Sequence, residues 1–333
     1  MIPAGQMANT LFRHREAGIA VMLVLFCLVV GLIEPRFWSL DTLRIVMLAV
    51  PLIMVAAMGQ MMVLVARHVD LSIGSVLGFS AIAAGMVFRD LPDLPWWFGF
   101  FIAISVGAAL GLANGAVVTF FRLPSIIVTL GTLSLYRGLL FLISDARQVD
   151  PQYIPRPLIS MSQTSPVFGI PWIVLIALAV AGLTYLFLDH TRIGRQIYAI
   201  GSNPSAAPLR GIRVVPVTLL VFTLSGALAG LSGVMYASRF GYVNPSITGV
   251  GFEFTVIAAV VIGGVSINGG VGTVLGTVLG VILLGAVSVA LPVLGVSAFW
   301  QDAIYGAVII IALLIDRSVR VSGVKGVAAR ASV

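Results

Sequence analysis

The sequence predicts an all-α polytopic membrane protein, a bundle of about ten transmembrane helices. Of its 333 residues, 59% are hydrophobic and only 9% are charged, and the mean hydropathy is +1.12. Ordinary soluble domains carry about a quarter charged residues. Apolar stretches long enough to cross roughly 30 Å of hydrocarbon recur along the chain. The predicted spans are 17–33, 43–65, 71–88, 96–120, 126–143, 172–188, 216–238, 254–268, 271–291 and 299–315.

The first span resembles a signal peptide because Arg13, His14 and Arg15 precede it. It continues into Glu34, Pro35 and Arg36 without the small residues of a cleavage site, so we interpret it as a retained anchor. The single cysteine, Cys27, lies in this apolar run. One cysteine excludes a disulfide within the chain and any cysteine-based metal site, and a packing role is expected for it.

The distribution of basic residues predicts the orientation. With the N-terminus in the cytoplasm, twelve of the 19 Lys and Arg residues fall on the inner side, six fall outside and Arg137 lies within a span. The positive-inside rule therefore places both termini in the cytoplasm, which requires an even number of spans. The net charge of +7 is explained by insertion and contact with the lipid bilayer, so no nucleic-acid partner is expected. The inner basic residues are Arg13, Arg15, Arg67, Arg122, Arg192, Arg195, Arg210, Arg213, Arg317, Arg320, Lys325 and Arg330.

The spans and loops predict one permease-like membrane domain, 1–333, with four segments outside the bundle. These are the cytoplasmic segment 1–16, an external loop 144–171, a cytoplasmic loop 189–215 and a cytoplasmic tail 316–333. Five prolines make the external loop an irregular cap and not another span. The inner loop is too polar to face lipid, and we expect one or two short helices there, broken at Asn203 and Pro204.

Glycine patterns recur inside the spans. Small residues four apart, at Gly107, Gly111 and Gly115, at Gly226 and Gly230, and at Gly272, Gly276 and Gly280, predict close helix packing. The pairs 263–264 and 269–270 interrupt an apolar run. A glycine-broken span that faces a substrate and a tight turn between two helices explain them equally well.

Polar residues inside spans are candidates for a solute pathway because burying them in lipid is costly. Neutral donors and acceptors suit a polyhydroxylated solute, although most such residues only bond to a neighbouring helix. Asp70 is also expected to cap the helix that begins near Leu71 and Ser72. The candidate lining residues are Gln60, Asp70, Ser72, Asn114, Thr129, Thr132, Arg137 and Asn268.

The sequence excludes some functions and argues against others. The only lysine, Lys325, follows Val324, so no GxxxxGK[ST] phosphate loop exists in the chain and it does not hydrolyse ATP by that route. The three histidines show no zinc spacing, and neither a metal nor a cofactor is expected. Residues 230–233 match the GxSG of rhomboid intramembrane serine proteases, but Ser232 has no histidine base within a span. A secondary transporter or channel would need intramembrane carboxylates for ion coupling, which the spans essentially lack.

Strings along nearly the whole chain resemble the permease subunits of bacterial ATP-driven monosaccharide importers. They are GLANG at 111–115, LPSIIVTLGTL at 123–133, GRQIYAIGSN at 194–203 and IAAVVIGG at 257–264. The resemblance implies a bundle similar to the cobalamin-importer type in the bacterial inner membrane. It also implies separate ATP-binding-cassette ATPase subunits, a periplasmic solute-binding protein and a second permease subunit, in a homodimer or heterodimer. The implied coupling residues for the ATPase are Gly194, Arg195, Tyr198, Ala199, Gly201, Asn203, Ala206, Ala207 and Gly211.

The chain departs from the family pattern at two places. It has Arg67-His68-Val69-Asp70-Leu71-Ser72 where the family often has Gly-Gly-Ile-Asp-Leu-Ser, and Phe254-Thr255 where Leu-Asp is common. The first variant, together with Trp300-Gln301-Asp302, resembles the branch that imports rhamnose or autoinducer 2.

Overall fold

The structure is a computed structural model that describes residues 15–165, 169–297 and 299–311. The tail 316–333 and most of segment 1–16 lie outside these residues. Twelve α-helices occur within the described ranges. They are α1 Arg15–Ile33, α2 Leu40–Val65, α3 Ile73–Asp90, α4 Phe98–Phe120, α5 Ser125–Ser144, α6 Arg156–Gln163, α7 Trp172–His190, α8 Arg192–Ser202, α9 Val214–Phe240, α10 Phe252–Ile262, α11 Val274–Val293 and α12 Trp300–Ile311.

The predicted helical membrane bundle is confirmed. Eight of the described helices, α1 to α5, α7, α9 and α11, are long and apolar enough to cross a membrane, and α10 and α12 are shorter apolar helices. Each of the ten predicted spans therefore corresponds to a helix. The helices alternate in direction. Helix α3 begins inside the bundle, where Gly74 contacts Gly249 of the loop before α10. Helix α2 ends, and α5 and α9 begin, at the end of the bundle where α8 lies. We call this end the α8 end.

The predicted span 254–268 is wrong in its second half. Helix α10 has 11 residues and stops at Ile262, which makes it about 17 Å long. Residues 263–273 form a non-helical connection to α11, in which Gly264, Gly269 and Gly270 have φ of 83°, 84° and 75°. Only glycine adopts these angles at little cost, so the glycines end the helix although the surrounding residues are apolar.

Helix α2 is the centre of the bundle. Its residues 50–65 are all buried, and α7, α9, α10 and α11 pack around it. Helices α1, α5 and α7 are mostly exposed along their apolar length, as expected for helices that face lipid.

The predicted small-residue seam joins α4 to α9. A Cβ atom on Gly107 would collide with the carbonyl oxygen of Gly226, and one on Gly111 would collide with the carbonyl oxygen of Phe222. The reciprocal contacts occur at Gly226 and Gly230. The two backbones therefore touch directly, which only glycine permits.

A second seam joins α10 to α11. Cβ atoms on Gly276 and Gly280 would meet the carbonyl oxygens of Gly263 and Ala259. The third glycine of this predicted motif, Gly272, lies before the helix with φ of 157° and forms part of the connection.

Both predicted loops contain short helices. The described part of loop 144–171 carries α6, which is tied to α9 because Ser162 Oγ donates to Ser238 O over 2.8 Å. The inner loop contains α8, which ends at Ser202 immediately before Asn203, and a short 3-10 turn, Pro208–Arg210.

Two short, similar sequences lie at the starts of α3 and α11, and each follows a non-helical segment. GSVLG at 74–78 lies in the first turns of α3, and GTVLG at 272–276 leads into α11. The segments before them, 66–72 and 263–273, meet at the α8 end, where Gly270 N donates to Val65 O over 2.9 Å. We call 66–72 and 263–273 the two non-helical segments.

Substituting Gly107 with alanine is expected to destabilise the bundle by about 1–3 kcal/mol, because the added methyl group forces α4 and α9 apart. Unfolding in detergent, followed by heat or denaturant, measures this loss. Gly131→Ala is the matched control, since a Cβ there has no neighbour within 4 Å. Equal stability of the two variants would contradict a backbone contact between α4 and α9.

Candidate functional site

Helix α8 is the amphipathic element of the α8 end. Its buried face consists of Gly194, Ile197, Ile200 and Gly201, and its outer face exposes basic and apolar side chains, including Arg195. Thr191 caps the helix, with Thr191 Oγ1 accepting a hydrogen bond from Gly194 N at 3.0 Å. The helix therefore lies across the end of the bundle with one basic face open.

The inner face of α8 contacts both non-helical segments. Tyr198 Oη donates to Gly272 O over 2.8 Å, and burial raises the pKa of Tyr198 to about 12, so this hydroxyl keeps its proton. At Gly201 the backbone is so close to Val65 O and Gly270 N that any side chain would collide with them. A displacement of α8 must therefore move these segments or break the contacts.

The residues after α8 form defined turns, and most of them are exposed. Asn203 Oδ1 accepts a hydrogen bond from Ala206 N at 3.0 Å, and Gly211 ends the 3-10 turn with φ of 76°. The side chain of Leu209 is 89% exposed and the neighbouring Arg210 is exposed as well.

The nine predicted coupling residues thus divide by position. Gly194, Gly201 and Ala207 are buried, Tyr198, Ala199 and Ala206 are half-buried, and Arg195, Asn203 and Gly211 are exposed. The buried residues hold the segment on the bundle, whereas the exposed ones face outward.

Three of the eight candidate lining residues, Asp70, Ser72 and Asn114, meet in one buried network. Asp70 Oδ1 accepts from Ser72 N at 2.9 Å and from Ser72 Oγ at 2.7 Å, and Ser72 Oγ accepts from Asn114 Nδ2 at 2.8 Å. Tyr136 Oη lies 2.9 Å from Asn114 Oδ1, and Ser225 Oγ lies 3.5 Å from Asp70 Oδ2. The chain of donors ends on the Asp70 carboxylate. The predicted cap by Asp70 is wrong, because α3 begins at Ile73 with Ser72 as its N-cap residue and Asp70 bonds to Ser72 instead of to the first turn.

Thr129 belongs to the same region through the backbone of segment 66–72. Thr129 Oγ1 lies 3.2 Å from Val69 O, and Val69 N donates to Ser125 Oγ over 3.0 Å. Side chains of α5 therefore supply backbone hydrogen bonds that a helix would otherwise provide to this segment, while α4 and α9 bond to its side chains.

The remaining four candidates lie elsewhere. Arg137 Nη1 donates to Thr248 O at 2.8 Å and Pro245 O at 3.3 Å, which fastens α5 to the loop before α10. Thr132 Oγ1 contacts only its own helix at Thr129 O, and Asn268 lies in segment 263–273. The side chain of Gln60 is fully buried in α2, and neither of its amide atoms has a hydrogen-bond partner among the described residues.

The protease-like serine is engaged in packing. Ser232 is fully buried, and its Oγ donates to Leu52 O over 2.8 Å. The described residues contain no group of three or more histidine, cysteine or acidic side chains that could hold a metal ion.

A cavity of about 420 Å³ lies at the opposite end of the bundle from α8. Helices α2, α3, α9, α10, α11 and α12 and the loop before α10 form its walls. None of the eight candidate lining residues is among the residues that line it.

Two members of the Asp70 network, Tyr136 and Ser225, and the neighbouring Ser125 are not among the predicted site residues. Tyr136 follows Thr129 by seven residues and therefore lies on the same face of α5, which is a signal the sequence contains. Ser225 is 155 residues from Asp70, and no local pattern joins the two.

Comparison with known proteins agrees with this architecture. A family profile described as "Branched-chain amino acid transport system / permease component" matches residues 42–313. The autoinducer 2 import system permease protein LsrC of Yersinia enterocolitica is 34% identical over 319 residues, which cover 92% of this chain and 84% of that protein.

Two further relatives carry the same name. The LsrC protein of Photorhabdus luminescens is 33% identical, with 94% of this chain and 93% of the relative covered. That of Salmonella typhi is 34% identical, with 92% and 87% covered. On these matches and its helical membrane bundle, the chain belongs to the family of permease subunits of ATP-binding-cassette importers, which are transport components and not themselves enzymes.

Proposed function

We propose that this permease carries a sugar-like solute across the bacterial inner membrane, with autoinducer 2 as the first candidate and rhamnose as the second. The relatives named as autoinducer 2 permeases support this choice, as does the Trp300-Gln301-Asp302 sequence. The observation that carries the transport mechanism is the position of α8. Its basic outer face is open to a partner protein, and its inner face contacts both non-helical segments.

In this proposal, the energy of ATP hydrolysis reaches the permease through its contact with another protein. The chain has no phosphate loop, so ATP binding and hydrolysis belong to a separate ATPase subunit. The exposed residues of 192–211 form the surface on which that subunit docks. Its closure shifts α8, and Tyr198 and Gly201 pass the shift to the non-helical segments, which biases the permease between inward-open and outward-open states.

The orientation follows from charge. The α8 end carries Arg67, Arg122 and the basic residues of 192–213, and the predicted terminal segments add six further basic residues. The positive-inside rule then places the α8 end and both termini in the cytoplasm. The cavity end faces the periplasm, where a solute-binding protein delivers the solute.

The complete importer contains a second permease subunit, either another copy of this chain or a related one. This proposal rests on the family resemblance. Together with two ATPase subunits, the pair forms a path whose lining includes residues of both permeases. Gln60 and Asn268 remain proposed lining residues, while Asp70, Ser72, Asn114 and Thr129 are proposed to hold segment 66–72 beside that path.

Replacing Arg195 with glutamate is expected to lower ATP-dependent uptake about tenfold, because a charge reversal on the exposed face weakens docking of the ATPase. The free energy of unfolding of the permease is expected to change by less than about 0.5 kcal/mol. Uptake of autoinducer 2 by proteoliposomes that contain the whole importer measures the effect. Arg147→Glu, in the external loop, is the control. Full uptake by the Arg195 variant would contradict docking at α8.

Replacing Tyr198 with phenylalanine removes only the hydroxyl that reaches Gly272 O. One hydrogen bond contributes about 1 kcal/mol, so the solute carried per ATP is expected to fall up to about fivefold while the ATPase still binds. Parallel measurements of uptake and phosphate release give this ratio. Tyr185→Phe, on α7, is the control, and an unchanged ratio in Tyr198→Phe would show that this hydrogen bond transmits nothing.

A further inference from the structure

The cavity at the end opposite α8 combines an apolar wall with polar side chains. Ile45, Ala49, Leu52 and Ile53 of α2 and Val289 of α11 form the apolar part. The volume of about 420 Å³ lies within the range of roughly 300–1,000 Å³ that small-molecule sites occupy. The polar part includes Tyr236, Arg239, Ser288, Gln301, Asp302 and Tyr305.

Three polar side chains of α11 and α12, those of Ser288, Gln301 and Tyr305, are held in place, whereas Asp302 is exposed. Gln301 Nε2 donates to Ser288 O over 3.0 Å, and the hydroxyls of Ser288 and Tyr305 lie 2.6 Å apart. The Gln301 amide is therefore oriented, with its Oε1 and one N–H still available to a ligand. Such fixed groups bind a solute at a low cost in conformational entropy.

The two charged side chains of the cavity are not paired with each other. Between described residues, the ion pairs within 4 Å are Arg36 with Glu34 and Arg89 with Asp90. The Arg239 guanidinium instead lies 4.8 Å from the centre of the Phe240 ring. A half-buried guanidinium without a carboxylate partner retains most of its five donors for another acceptor.

We propose that this cavity is a binding subsite for a small, uncharged, polyhydroxylated solute, and that Arg239, Gln301 and Asp302 determine its specificity. The inference rests on the proposed function, because it assigns this cavity to the transported solute. Hydroxyl groups both donate and accept, so adjacent hydroxyls satisfy an arginine, an amide and a carboxylate at once, while the C–H face of the solute packs on the α2 wall.

An α-amino acid fits the same cavity less well. It has two polar ends and would pair with Arg239 and Asp302, but its apolar side chain would leave Gln301, Ser288 and the two tyrosines without ligand contacts. The amino acid would therefore forgo the additional hydrogen bonds that adjacent hydroxyl groups can make to the free Oε1 and N–H of Gln301. The number and spread of polar groups in this cavity therefore favour a sugar-like ligand.

The test measures binding to the permease itself, without the solute-binding protein. Purified full-length permease in lipid nanodiscs is examined by saturation-transfer NMR with autoinducer 2, L-rhamnose, D-ribose and L-leucine as separate probes. Binding of at least one of the three hydroxylated probes is expected, with no signal from L-leucine. Each loss of a charged or amide contact, in Arg239→Met, Gln301→Leu and Asp302→Asn, is expected to raise the Kd about tenfold.

Arg156→Met is the matched control, because Arg156 is exposed at the same end of the bundle and lies outside the cavity. Asp302→Asn preserves the side-chain shape, which separates loss of binding from loss of folding. Binding of L-leucine, absence of binding by all three hydroxylated probes, or wild-type binding by all three cavity variants would overturn the subsite. ATP-dependent uptake by the wild-type importer tests the transport function separately, so either proposal can fail while the other stands.

Discussion

A backbone segment that is not helical needs hydrogen-bond partners when it lies within a membrane protein, because hydrocarbon offers none. Among the described residues, 66–72 and 263–273 are two such segments, and neighbouring groups supply partners for them. Ser125 and Thr129 bond to the backbone of Val69, and Gly270 N bonds to Val65 O, so the segments partly satisfy each other.

The same constraint explains why α8 is suited to control the bundle. Helix α8 contacts both segments at one place, where Gly201 touches the backbones of Val65 and Gly270 and where Tyr198 bonds to Gly272. The contacts at Gly201 are made by backbone atoms, which cannot adjust by changing a rotamer. The core beneath is closely packed around α2, and packed interiors respond to displacement by moving between discrete arrangements.

The sequence predicts the fold well because a helix that crosses lipid must be a long apolar run, which is visible in the sequence. Ten apolar runs give ten apolar helices, and the seam at Gly107 and Gly226 follows from spacing alone. The end of α10 could not be predicted, since an apolar run does not show where glycines of positive φ interrupt it. For the site, individual polar residues such as Asp70 and Asn114 were identifiable. Their assembly depends on contacts between residues far apart in the chain, such as Asp70 and Ser225.

The central claim is that segment 192–211 faces the cytoplasm and carries the ATPase. Cys27 is the only cysteine in the chain, so a Cys27→Ala background allows a single thiol at Leu209, whose side chain is 89% exposed. Labelling by a membrane-impermeant maleimide is compared in inside-out and right-side-out vesicles, with Gln152→Cys marking the opposite side. The account predicts labelling at 209 only in inside-out vesicles, and its suppression when the ATPase subunits are bound. Labelling from the outside, or labelling unaffected by the ATPase, would contradict it.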